Sequence, residues 1–326
     1  MATTRAAPRP RIVRRAVHGV LLLDKEAGLT SNAAVQRAKR IFRAEKVGHT
    51  GTLDPLASGL LPLCFGAATK FAQASLDADK RYLATLQLGV TTTTGDGEGE
   101  VRAVRDVDVD REALERACAG FVVTIDQIPP MHSSLKRDGK PLYDYARAGI
   151  ELEREPRRVT IHSIRVVEGA GTRWTIEVSC SKGTYIRTLG QDIGEALGCG
   201  AHLAALQRTR CGTLSLASAL TWADLEERDE AALDRCLVAV DALVAGLPQI
   251  VLAAEDAGRL LAGVRRRIDL PDSPAVRVYG PEPGAFLGTA HIAGGELIAS
   301  RLLSPTEVGA LIARHSPLPE PESLSA

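Results

Sequence analysis

The run Lys46-Val47-Gly48-His49-Thr50-Gly51-Thr52-Leu53-Asp54-Pro55-Leu56-Ala57-Ser58-Gly59-Leu60-Leu61-Pro62 constrains this chain more than any other. From Lys46 to Gly59 it holds one carboxylate, one imidazole and three glycines. Gly48 and Gly51 admit backbone angles that other residues reach only with strain. Asp54 precedes Pro55, which pushes its backbone towards extended geometry. An Asp-Pro pair is also the ordinary start of a helix, with the aspartate as N-cap and the proline as first helical residue. Here the apolar run breaks soon afterwards, at Gly59 and Pro62, so it leaves room for one or two helical turns at most. The stretch reads as a loop built to hold Asp54 and His49 in fixed places.

A length of 326 residues suits two domains, since one core serves ~100–200 residues. Formal net charge is zero, so bulk charge alone points to no nucleic-acid partner. Its distribution is uneven: residues 1–50 carry eleven Lys and Arg against three acids, an excess of eight. Such a stripe attracts phosphates, although a disordered basic tail followed by a solvated helix face gives the same count. The six cysteines show neither a CxxC pair nor zinc spacing, and read as free thiols of a reducing cytoplasm. No secretory leader precedes Gly19, and no apolar run is long enough to span a membrane.

Along the chain, residues 1–16 read as a disordered basic tail. Val17–Leu23 reads as an apolar strand. Thr30 or Ser31 then caps a helix to about Ala44 that buries Val35, Ala38 and Phe42 and turns Arg37, Arg40 and Arg43 outwards. Strands are expected at Leu60–Ala67, Tyr82–Val90, Glu100–Val104, Val159–Glu168 and Arg173–Ser179. Helices are expected at Asp110–Gly120 and from about Thr188 to Leu197. Residues 124–156, rich in turn and charge signals, should project from the core, with a short helix near Leu142–Ala148. After Val240–Pro248 the character changes to short strands at 250–253, 275–278, 285–290 and 296–298, a helix at Glu255–Ala262, and a last helix opened by the capping box Ser304-Pro305-Thr306-Glu307. Strands mixed with helices, without a regular alternation, argue for an α+β fold.

Several strings, in one order, resemble the bacterial tRNA pseudouridine-55 synthase (TruB) family. They are His18-Gly19-Val20 through Asp24-Lys25 with Gly28-Leu29-Thr30-Ser31; the Lys46–Pro62 run with Gly66, Ala67, Thr69 and Lys70; Lys80-Arg81-Tyr82; Gln127-Ile128-Pro129-Pro130-Met131; Gly139-Lys140-Pro141-Leu142-Tyr143; and Cys180 through Arg187 with Asp192. Glu26 stands where the family usually has proline, and the turn at 91–99 is more glycine-rich than usual. Residues 249–307 resemble, more loosely, the PUA-type RNA-binding module that commonly ends bacterial members.

The resemblance implies a pseudouridine-synthase fold: a mixed, mostly antiparallel sheet with flanking helices and an active-site cleft, followed by a small β-rich PUA-like domain. The domains implied are a catalytic domain at 17–247, a PUA-like domain at 248–314 and a frayed tail at 315–326. The substrate implied is uridine 55 in the T-loop of tRNA, converted to its C-glycoside isomer. The resemblance implies that Asp54 is the nucleophilic or essential carboxylate and Arg187 the cation that keeps it ionised, with a fork able to grip a carboxylate bidentately. By the same resemblance Tyr82 would pack on the extruded uracil, Tyr185 and Leu206 would line the base pocket, and His49 would enter the space vacated by the extruded nucleotides. Lys25, Lys46, Lys136 and Lys182 are candidates for phosphate contact.

The reaction detaches uracil from C1′, turns it and rejoins it through C5, with no net exchange of electrons. It therefore calls for no cofactor or metal, and the sequence carries no GxxxxGK[ST] loop, no GxGxxG after a strand and no cluster of metal ligands. A carboxylate suits attack on an electron-poor sugar carbon. The chief rival is a non-catalytic tRNA-binding or tRNA-folding protein using the same cleft, which would need no buried nucleophile. A glycoside hydrolase would want a second acid as proton donor, and none stands near the motifs. Nothing in the sequence asks for more than a monomer.

Overall fold

A computed structural model describes residues 13–315 of the chain. Its largest unit is a nine-stranded mixed sheet. Across it run Gly19–Lys25, Ser58–Phe65, Ala201–Cys211, Lys80–Leu88, Arg173–Cys180, Arg157–Ala170 and Thr124–Gln127, with Val47–His49 and Leu214–Ser215 attached at the sides. All pairings are antiparallel except that of Ser58–Phe65 with Ala201–Cys211. Gly59 makes that parallel contact possible. Its φ is +93°, and a Cβ there would lie 2.5 Å from the Arg208 carbonyl oxygen.

The strand Gly19–Lys25 is apolar from Gly19 to Leu23 because both of its faces are covered there. Alternate side chains enter different cores. Leu21 and Leu23 pack with Val35, Ala38 and Phe42 of the helix Ser31–Ile41 and its C-terminal turn. Val20 and Leu22 pack instead with Ile250, Phe286 and Leu297 from the C-terminal part of the chain. The neighbouring strand divides likewise, Leu61, Leu63 and Phe65 one way and Leu60 and Cys64 the other. Each such leucine contributes about 1.5–3 kcal/mol by leaving water.

The C-terminal part forms a separate five-stranded sheet from Gln249–Val251, Arg266–Arg267, Ser273–Tyr279, Phe286–Ala293 and Glu296–Leu302, closed by the helix Pro305–His315. That helix opens on the capping box read from the sequence. The Ser304 amide donates to Glu307 at 2.6 Å, and the Glu307 amide to Ser304 Oγ at 3.2 Å. The two sheets share apolar contacts rather than a loose linker: the Phe71 and Phe286 rings stand 5.1 Å apart, and Lys70 pairs with Glu307 at 2.6 Å.

The α+β expectation holds, with mostly small shifts of boundary. The first strand is Gly19–Lys25 rather than 17–23, and the expected Leu60–Ala67 strand is Ser58–Phe65. Thr30 is the N-cap of the first long helix, which ends at Ile41. No helix follows Asp54; the segment turns once, with the Ala57 amide donating to the Asp54 carbonyl at 3.1 Å, and enters the strand. Arg37 and Arg43 do not form a free basic face, since they pair with Glu226 and Glu230. The expected tail at 1–16 lies outside the described residues as far as residue 12, but Arg15 is held by Asp234 through two hydrogen bonds of 2.6 and 2.8 Å. The expected tail at 315–326 lies outside them from residue 316. All six cysteines are free thiols. Among the described residues, no helix is long and apolar enough to cross a membrane.

Candidate active site

The Asp54 loop is pinned from both sides by short-range polar contacts. Ser31, buried at the start of its helix, accepts from the Leu53 amide at 2.8 Å and donates to the Leu53 carbonyl at 3.0 Å. The Gly28 amide donates to the Pro55 carbonyl at 2.7 Å. Gly51 takes φ +107°, as the turn requires, whereas Gly48 lies in the short strand Val47–His49 outside the left-handed region. These contacts fix the backbone around Asp54 and leave its side chain half-buried, facing into the cleft.

Arg187 reaches Asp54 from the first turn of the helix Ile186–Ala196. It is 4% exposed, and its Nε stands 3.0 Å from Asp54 Oδ2. The bidentate grip anticipated from sequence is not what forms. The rest of the guanidinium is engaged elsewhere: Nη1 donates to the Thr94 carbonyl at 3.1 Å and faces Asp96 Oδ2 at 3.4 Å, and Nη2 donates to the His132 carbonyl at 2.6 Å. Every edge of the fork is used, so its single contact with Asp54 is fixed in direction. A cation at a helix N-terminus opposes the helix dipole, and the two carboxylates offset that.

Asp96 was not anticipated. It is buried within the polar turn at 91–99, where Thr94 Oγ1 and the Glu98 amide donate to Oδ1 and leave Oδ2 facing Arg187. The sequence clue was slight, two carboxylates, Asp96 and Glu98, in a run of threonines and glycines.

Two cavities meet at the Asp54–Arg187 pair. One, of about 350 Å³, is lined by Asp54, Tyr82, Tyr185, Arg187, Leu206 and Arg208. The other, of about 510 Å³, is lined by Asp54 and Arg187 together with His49, Asp96, His132 and Tyr143. The structure thus gathers Asp54, Tyr82, Tyr185, Arg187 and Leu206 around one space and sets His49 in the adjoining one. Leu206 and Tyr82 arrive from neighbouring strands, in which Leu206 faces Ala84 and Arg208 faces Tyr82. Tyr185 is held through its backbone, its amide donating to Gln127 Oε1 at 2.7 Å and its carbonyl accepting from Gln127 Nε2 at 3.1 Å. The buried Gln127 explains why the string around Ile128 belongs with the site.

Burial raises the pKa of the Asp54 carboxyl, and the Arg187 cation opposes that rise; Lys25 acts in the same sense as Arg187, less strongly. Burial pushes the Tyr82 phenol up to about 12, so it is a neutral hydroxyl at physiological pH. Burial also raises Tyr185. His49 is lowered, by burial first and by the Arg208 charge second. Its Nδ1 is buried without a hydrogen-bond partner, so the ring is not tied to a backbone carbonyl through that atom.

The phosphate candidates divide. Lys46 and Lys136 are exposed, and Lys182 is exposed but bound to Asp77 at 2.7 Å. Lys25 is corrected: it is fully buried, and its ammonium donates to the Glu26 carbonyl at 2.8 Å and the Leu29 carbonyl at 2.7 Å. It cannot reach a phosphate. It sits behind the Asp54 loop, where burial pushes its pKa down to about 8.

With this geometry in hand, comparison with known proteins decides the family. The pattern described as "TruB family pseudouridylate synthase (N terminal domain)" matches residues 39–186, "tRNA pseudouridylate synthase B C-terminal domain" matches 187–245, and "Pseudouridine synthase II TruB, C-terminal" matches 248–303. The chain belongs to the TruB pseudouridine synthase family. Among curated relatives, tRNA pseudouridine synthase B of Cupriavidus taiwanensis is 54% identical over 93% of this chain and 99% of its own. That of Burkholderia mallei is 53% identical over 92% and 98%. Among solved structures, a Cbf5-Nop10-Gar1 complex matches with a TM-score of 0.70 and 25% identity, over 89% of this chain and 87% of that one. The pseudouridine-synthase fold with a β-rich C-terminal domain follows from these matches.

Proposed function

We propose that this chain converts uridine 55 of the tRNA T-loop to pseudouridine, with Asp54 as nucleophile and the target base swung out of its stack. The observation that carries the reading is the Asp54–Arg187 pair at 3.0 Å, fixed at the junction of two cavities. One cavity receives the extruded uracil against Tyr82, Tyr185 and Leu206. The other receives displaced neighbouring RNA, with His49 stacking on it as a neutral ring. Unstacking costs a few kcal/mol, and these contacts offset it.

Asp54 must be ionised to attack C1′. Burial works against that and the Arg187 guanidinium restores it, while the saturated fork keeps the carboxylate aimed. Tyr82, neutral and in contact with the base, is placed to assist departure of the C5 proton through its hydroxyl. All atoms of the nucleoside are kept and no net electrons are exchanged, so the chemistry calls on no cofactor. Residues 248–314 serve as a PUA-like RNA-binding domain behind the 17–247 catalytic domain. The protein acts on tRNA as a cytoplasmic monomer without an obligate protein partner. An ionised carboxylate paired with a buried arginine has no use in a protein that only binds or refolds tRNA, which disfavours that alternative.

The test is incubation of purified protein with an unmodified tRNA transcript, no cofactor added, followed by nucleoside digestion and mapping of the modified position. The expected result is one pseudouridine per tRNA, at position 55. A transcript recovered unmodified, or modified at other positions only, would refute the proposal.

A further inference from the structure

Two buried cations of the base cavity remain without a role. Arg208 is 2% exposed and Lys80 is 7% exposed, and both line the cavity that contains Tyr82 and Leu206. Among the described residues neither forms an ion pair. Arg208 Nε donates to the Leu60 carbonyl at 2.8 Å and Nη2 to the Gly51 carbonyl at 3.2 Å. The Lys80 ammonium donates to the carbonyls of Ser75, Leu76 and Ala78 at 3.1, 2.6 and 2.6 Å. Carbonyl dipoles offset only part of the cost of burying a full charge, which ordinarily demands a counter-charge. Arg208 is also the direct cross-strand partner of Tyr82, so both side chains lie on one face of the sheet. Its charge is felt across the cavity: it lowers the basicity of His49, Lys25 and Lys80 and holds the Tyr82 hydroxyl down against burial.

What is missing from this wall is a negative charge, and the proposed reaction supplies one transiently. When the C1′–N1 bond breaks, its electron pair stays on uracil, spread over N1, O2 and O4, while C1′ is taken up by an Asp54 oxygen. The charge disappears when C5 bonds to C1′ and expels Asp54, and it is settled when the C5 proton leaves and N1 gains one. The geometry points to Arg208, supported by Lys80, as the fixed positive charge that stabilises the detached uracil anion. A charge placed in advance opposite charge that develops only during reaction favours the transition state over the bound substrate. This inference rests on the proposed pseudouridine synthesis.

The experiment compares single-turnover rates of wild type, Arg208→Gln and Arg208→Lys on two saturating tRNAs, one with uridine and one with 5-fluorouridine at the target position. The second base leaves as a more stable anion, and its consumption reports glycosidic cleavage. Arg208→Gln should lose about 100-fold on uridine, the scale of removing one preorganised charge-stabilising donor, with tRNA affinity unchanged. On 5-fluorouridine the same variant should lose markedly less, because the better leaving group needs less help. Arg208→Lys, which keeps the charge, should recover much of the loss and guards against a glutamine variant that fails to fold. Equal losses on both bases, or a lysine variant no better than glutamine, would mean that Arg208 serves only to brace Gly51 and Leu60. A wild-type chain inert on uridine would overturn the functional reading and this inference together, whereas an active wild type with an equally active Arg208→Gln would overturn this inference alone.

Discussion

The two sheets of this molecule treat charge differently. Every buried polar or charged side chain among the described residues lies between Lys25 and Arg208, in the part that builds the nine-stranded sheet and its loops. Past Arg208 the buried side chains are apolar, among them Ile250, Phe286, Leu297 and Leu311. Burying Lys25, Lys80, Asp96, Arg187 and Arg208 costs stability that an apolar core would not. On the proposed reading, that cost falls where the chemistry takes place. The five-stranded sheet is an ordinary core, and it docks against Val20, Leu22 and Phe71 of the first sheet, so its packing also supports the strands that carry the site.

This contrast can be broken or sharpened in order of expected effect. The largest change is in stability and comes from the second sheet. Phe286→Ala should destabilise the fold by about 3–5 kcal/mol, the usual cost of emptying a buried phenylalanine site, as read by urea unfolding. Its single-turnover rate at saturating tRNA should stay within about threefold of wild type, since additive behaviour is expected of distant sites. A rate loss matching the stability loss would join the two regions functionally.

Arg187→Lys should do the reverse. A lysine can meet one or two of the partners of Arg187 but not Asp54, Thr94, Asp96 and His132 together. The rate should fall about 10²–10³-fold, the scale of losing a preorganised electrostatic contact, with tRNA affinity retained. A near-normal rate would remove the fork from the account.

The smallest effect concerns Lys25, whose cation lowers the pKa of Asp54. In Lys25→Met the Asp54 carboxyl rises further. If, as proposed, the reaction requires the carboxylate, the rate should then fall away at a higher pH than in wild type as the solution is acidified. A pH–rate profile that does not move, or that moves to lower pH, would show that Lys25 is too well screened to matter.

How much of this was legible beforehand differs along the chain for physical reasons. Asp54 stands in a motif whose glycines and prolines leave a local imprint, whereas Arg187 was legible only through the family resemblance of the string Cys180–Arg187. The central strand Ala201–Cys211 was not announced by the sequence. Register shifts near Ala204 and Thr209 interrupt its alternation, and the inward positions include Arg208, which reads as polar. An arginine in phase with Leu206 was the only available clue. Lys25 reads as exposed because lysine usually is; in the structure its ammonium folds back onto the carbonyls of Glu26 and Leu29 in the turn that follows it. Asp96 hid in a turn whose burial depends on the strand Ala201–Cys211, as the Gly97 amide donates to the Leu203 carbonyl at 3.0 Å. In the C-terminal sheet four of the five strands were legible, but the short strand Arg266–Arg267 and the sharing of the core with Val20 and Leu22 were not.

The central claim is that the Asp54 carboxylate performs the chemistry and is not needed to hold the RNA. Asp54→Asn is nearly isosteric and lacks only the charge and the nucleophilic oxygen. In a single-turnover assay with saturating tRNA the account predicts no pseudouridine, together with tRNA affinity and unfolding behaviour close to wild type. Measurable pseudouridine formation by that variant, in protein freed of any trace of wild type, would contradict it.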